Sequence, residues 1–66
     1  MNKPVYVINN PESVVEVYYV SGSNEVREVK CLNYNRIKEY TYTVDDYLKR
    51  MKGHEASKAI QYAMKG

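Results

Sequence analysis

The feature that most constrains this chain is a change of composition near residue 44. Residues 4 to 44 are rich in Val, Tyr and Thr, which suit a pleated, half-buried surface, whereas residues 45 to 65 carry Leu, Met, Ala, Lys and Glu, which favour helix. Strands first and helix last predicts an α+β domain: a small antiparallel sheet of three to four strands, followed by a C-terminal helix packed on one face. No repeat, low-complexity tract or linker interrupts the 66 residues, so residues 1–66 read as one domain.

Val5-Tyr6-Val7-Ile8 reads as a strand stopped by Asn9-Asn10-Pro11. Ser13 to Val20 and Glu25 to Leu32 flank Ser21-Gly22-Ser23-Asn24 and read as a hairpin. A three-residue loop Gly22-Ser23-Asn24, with Asn24 left-handed, opposes Val20 to Val26, Val17 to Val29, Glu16 to Lys30, Val15 to Cys31 and Val14 to Leu32. The alternative that opposes Val20 to Glu25 sets Val17 against Glu28 and Val15 against Lys30, a poorer match. After the turn signal Asn33-Tyr34-Asn35-Arg36, Ile37 to Thr43 alternates as a fourth strand. The expected core face is Val15, Val17, Tyr19, Val29, Cys31, Tyr40 and Tyr42. The expected outer face has a polar middle of Glu16, Lys30 and Glu39, with Val14, Leu32 and Ile37 at one end and Val20 with Val26 at the other.

Thr43-Val44-Asp45-Asp46 has capping-box spacing and places two carboxylates in a first helical turn, where the helix dipole favours them. Val44, Tyr47, Leu48 and Met51 form one apolar stripe; Ala56, Ala59, Ile60, Ala63 and Met64 form another, rotated from the first. The stripe breaks at Gly53-His54, which predicts a helix kinked or split near Gly53.

The same residues narrow the chemistry. A 66-residue chain has little room for a deep substrate pocket. Its lone Cys31 cannot close an intramolecular disulfide, and one Cys with one His is no structural zinc set, so a reducing, cytoplasmic setting is expected. No stretch reaches the roughly 18 to 20 apolar residues of a membrane span, and no basic region with a hydrophobic run opens the chain, so a soluble, unprocessed protein is expected. Cys31, His54, Asp45 and Asp46 are the possible catalytic groups, but packing, a helix end and capping account for them, and no enzyme, metal or cofactor is expected. Lys49, Arg50, Lys52, Lys58 and Lys65 read as a solvated helix face.

From Ser13 to Tyr62 the chain resembles the KTSC domain, a small domain found at the C-terminus of some lysyl-tRNA synthetases and as stand-alone and phage proteins. A hairpin followed by Tyr40-x-Tyr42-x-Val44, Tyr47 and Ser57-Lys58 carries the resemblance; Asp45 and Ala59 stand where family members usually have Pro and Gly. The resemblance implies a hairpin-rich sheet followed by helices. Asn, Lys, Ile and Tyr supply 24 of the 66 residues, the bias of an AT-rich coding source such as a phage or low-GC bacterium.

Eight Tyr without Phe or Trp must provide all aromatic packing. Tyr19, Tyr40 and Tyr47 are expected in the core, whereas Tyr6, Tyr18, Tyr34 and Tyr42 are harder to enclose and suit a binding surface. Aliphatics on the outer sheet face point the same way. The expected binding residues are Val14, Tyr18, Val20, Val26, Leu32, Tyr34, Arg36 and Ile37. The expectation is a non-enzymatic module that meets a protein partner or a second copy as a homodimer, a phage-type or mobile-element regulator or inhibitor of a host factor. The alternative is an accessory domain for RNA or single-stranded DNA, in which Tyr, Arg27, Arg36 and Lys38 form a stacking platform. Glu25, Glu28 and Glu39 beside these cations, and a net charge of only +2, weigh against it. No membrane or small-molecule substrate is expected.

Overall fold

The computed structural model describes residues 3–33 and 35–66. Strands β1 (Tyr6–Asn9), β2 (Val14–Val20), β3 (Glu25–Leu32) and β4 (Asn35–Thr43) form one antiparallel meander in the order β1-β2-β3-β4, and helices α1 (Val44–Arg50) and α2 (Glu55–Lys65) follow. This is the expected α+β order, with the helix split in two. α1 covers the β3/β4 half of one sheet face and α2 covers the β1/β2 half.

The split has two local causes. Gly53 adopts φ 83°, a left-handed conformation that ends α1's neighbourhood cheaply only for a residue without Cβ. The next residue, His54, caps α2, its Nδ1 accepting from the Ala56 N–H at 3.0 Å. Thr43 caps α1 in the expected way, its Oγ1 accepting from the Asp46 N–H at 3.2 Å. Gly53→Ala should therefore lower stability in urea titration by about 1 kcal/mol, whereas Gly22→Ala, at a position with negative φ and open space around it, should be neutral or slightly stabilising.

The hairpin register differs from the expected one by one residue. Val20 pairs with Glu25, Val17 with Glu28, Val15 with Lys30 and Val14 with Cys31. Asn24 is left-handed as expected, at φ 55°, but Ser21 leaves the strand and the loop has four residues, Ser21 to Asn24. Because the side-chain period is two, that single residue exchanges the faces of β3. Val26 points into the core and is 0% exposed, while Val29 and Cys31 lie on the opposite face.

Tertiary packing decides the register against the better cross-strand match. The core comprises Val17, Val26, Val44, Tyr47, Ala56 and Ile60, bordered by Val5, Tyr6, Ile8, Val15, Tyr19, Tyr42, Leu48 and Met51. Glu28 faces this layer too, and it is accommodated because the Tyr47 hydroxyl donates to its Oε2 at 2.7 Å. Burial and the Glu28 carboxylate hold the Tyr47 phenol far above its ordinary pKa, and burial followed by Glu28 raises Tyr42 as well. Tyr40, expected in the core, is instead 42% exposed: it opposes Glu28 on the edge strand, with Lys38 Nζ 5.7 Å from its ring centroid. Lys49, Arg50, Lys52, Lys58 and Lys65 are all exposed, as the solvated-face reading expects.

Candidate functional site

The helices cover one face of the sheet and leave the other without a helix. The antiparallel registers place on this open face Val7 of β1; Val14, Glu16, Tyr18 and Val20 of β2; Glu25, Arg27, Val29 and Cys31 of β3; and Arg36, Glu39 and Thr41 of β4. Among these Tyr18 is 9% and Val29 3% exposed, a depth of burial unusual on a face without helices. Across the strands Val29 lies between Glu16 and Glu39, and Tyr18 lies beside Arg27.

Those side chains form two clusters. In the first, the Tyr18 hydroxyl donates to Glu16 Oε1 at 2.8 Å; this bond raises the Tyr18 pKa, burial adds to the rise, and nearby Arg36 opposes it. In the second, Arg27 lies between Glu25 (3.6 Å) and Glu39 (3.8 Å). Exposed pairs of this kind contribute little to stability, so their effect is to lay an alternating charge pattern around an apolar centre. Val7 and Val14 lie at one end of the face and Val20 at the other. Beside Val14, a shallow depression is lined by Pro11, Ser13, Glu16, Cys31 and Asn33.

The structure distributes the expected binding residues unevenly. Val14, Tyr18, Val20 and Arg36 share the open face. Val26 is enclosed in the core, a direct result of the register. Leu32 opposes Asn35 on the helix-facing side, at the sheet's far end, and remains exposed. Ile37 sits at the irregularity where β3 and β4 shift register between Lys30 and Cys31, and is 52% exposed. Tyr34 lies outside the described residues. Sequence reasoning missed Val7, Val29, Cys31 and the Arg27 cluster; Ser21, a residue type favoured in turns, was the signal for the longer loop that turns Val29 and Cys31 toward this face.

Cys31 and His54 lie on opposite layers, one on the open face and the other between the helices with its ring edge-on to Tyr6 at 6.1 Å. Among the described residues no three His, Cys, Asp or Glu side chains converge as a metal site, and no helix is long and apolar enough to cross a membrane. Comparison of the chain with protein-family models, with curated proteins and with solved structures finds no match.

Proposed function

We propose that the chain is a small non-enzymatic binding protein that works in the cytoplasm through protein contacts on its helix-free sheet face, as a phage-type or mobile-element regulator or inhibitor of a host factor. The observation that carries this reading is the face itself: Val7 and Val14 at one end and Val20 at the other flank a middle in which Tyr18 and Val29 are buried among Glu16, Arg27 and Glu39, charges of both signs. Apolar patches set beside charges of both signs offer a partner both burial and complementary polar contacts. The free thiol of Cys31 suits a reducing compartment.

The nucleic-acid reading draws on Tyr18 with Arg27 and Arg36 on one sheet face. Against it, Glu16, Glu25 and Glu39 share that face, so the two guanidiniums meet three carboxylates and no single-sign groove follows a strand. The KTSC resemblance adds little chemistry to either reading, because Val44, Tyr47 and Ser57, three of the residues that carry it, are buried and serve packing.

Affinity capture from host lysate, run with and without nuclease, tests the proposal. Capture should survive nuclease, fall at least tenfold with Val14→Glu or Val20→Glu, and be unchanged by Tyr62→Ala on the far layer, where Tyr62 is exposed. Binding to RNA or single-stranded DNA that falls steeply with salt on a log-log plot would establish the other reading instead.

A further inference from the structure

The two edges of the sheet are not equally protected. On β1, the Asn10 N–H donates to the Ser13 carbonyl at 2.9 Å, in phase with the pairs Ile8↔Val15 and Tyr6↔Val17. Hydrogen-bonded pairs recur every second residue, so within β1 Val7 and Asn9 turn backbone groups outward. Pro4 and Pro11 flank it, and a short strand between prolines is a poor template for pairing.

β4 is different. The Val44 N–H donates to the Asn24 carbonyl at 3.2 Å, in phase with Tyr42↔Val26 and Tyr40↔Glu28. Even-numbered residues of β4 therefore bond to β3, and Glu39, Thr41 and Thr43 direct their N–H and C=O groups away from the sheet. The irregularity near Ile37 and the exposed Lys38 blunt the beginning of the strand. Among the described residues no proline or irregularity guards Glu39 to Thr43, and an open edge of this kind invites a partner strand.

We propose that this segment pairs antiparallel with the same segment of a second copy, about a two-fold axis at Thr41, joining two four-stranded sheets into one. The proposal rests on the reading of the chain as a protein that acts through protein contacts, but it uses the sheet edge and not the open face. A second copy is the occupant because the segment complements itself. A two-fold axis normal to the sheet keeps both helix layers on one side and requires each residue to meet one of the same parity. An axis at Glu39 would oppose two carboxylates, and an axis at Tyr40 would run Thr43 into the irregular backbone near Ile37. The axis at Thr41 opposes Thr41 to Thr41, Tyr40 to Tyr42 twice and Glu39 to Thr43 twice, and uses every outward-facing residue of both copies. Thr–Thr and aromatic–aromatic pairs are among the favourable cross-strand combinations. Five residues a side is far fewer than the roughly 20–30 of a stable interface, so the dimer is a weak, transient one.

Sedimentation equilibrium from about 10 µM to about 1 mM should show the mean mass rising from 7.7 kDa toward twice that value. Thr41→Pro removes an outward N–H that the chain's own sheet does not use, and should weaken association at least tenfold. Should that variant misfold, Thr41→Cys in a Cys31→Ser background provides a second readout: it should form a symmetric disulfide much faster than Ser23→Cys in the same background, as hydrogen-bonded partners bring Cα atoms within disulfide range. A monomer at about 1 mM, or Thr41→Cys cross-linking no faster than Ser23→Cys, overturns the proposal. A dimer lost with Val14→Glu but kept with Thr41→Pro also overturns it, while leaving the open-face reading intact. An edge dimer whose lysate capture ignores Val14→Glu supports the edge and removes the face.

Discussion

Ile60→Ala should leave the domain close to unfolded at 25 °C. Ile60 is 0% exposed and belongs to one buried cluster with Val17 and Val26 of the sheet, Val44 and Tyr47 of α1 and Ala56 of α2, so its truncation opens a cavity among five other enclosed residues. Removing three carbons from such a site costs about 2–5 kcal/mol, while a core of this size supplies only about 3–5 kcal/mol in total. The magnitude decides the outcome, because the loss equals most of what the fold has. Met64→Ala, on the same helix but 46% exposed, should change stability by no more than about 0.5 kcal/mol. Urea denaturation followed by circular dichroism distinguishes the two variants, and comparable losses in both would show that α2 is not seated as described.

Raising the pH beyond 10 should destabilise the protein more steeply than its net charge alone would. An unfolded tyrosine ionises near its ordinary pKa of 10.0, but the folded state holds Tyr47 protonated far above that value, through burial and the bond to Glu28. The folded-state pKa is raised, so the stability it confers is fully present below pH 10 and is lost as pH climbs toward the folded-state value. At pH 11 the loss from this one phenol is about 1.4 kcal/mol, one unit above the unfolded pKa. Tyr18 and Tyr42 are raised too and act in the same direction. Tyr47→Phe should show the opposite balance: about 1–2 kcal/mol less stable at pH 7, where Glu28 loses its donor, but with a flatter decline above pH 10. Urea titrations at pH 8, 10 and 11 for both proteins provide the test; parallel pH profiles would remove Tyr47 as the titrating group.

The element order was legible because composition and spacing agree along the chain. Thr43 with Asp46 announced α1, Gly53-His54 announced its end, and Val44, Tyr47, Ala56 and Ile60 fell on apolar stripes that the structure buries. The faces of β3 were not legible. Cross-strand pairing alone favours Val17 opposite Val29, but those pairs are worth only fractions of a kcal/mol each. They are outweighed by a long-range partnership that no local pattern contains, Glu28 under the Tyr47 hydroxyl with Val26 enclosed below α1. The candidate site inherited the error. β2 lies on the same face in either register, so Val14, Tyr18 and Val20 were found, whereas Val26 exchanged places with Val29 and Cys31.

Thiol reactivity tests most directly which residues form the helix-free face, the claim on which both functional readings depend. Cys31 in the native protein should react with an aromatic disulfide reagent at a measurable rate under conditions that keep the domain folded. A cysteine placed at Val26 in a Cys31→Ser background should react only as fast as the protein unfolds. If Val26→Cys reacts readily while Cys31 stays protected, β3 has the opposite face outward, and the surface described here is not the one the protein presents.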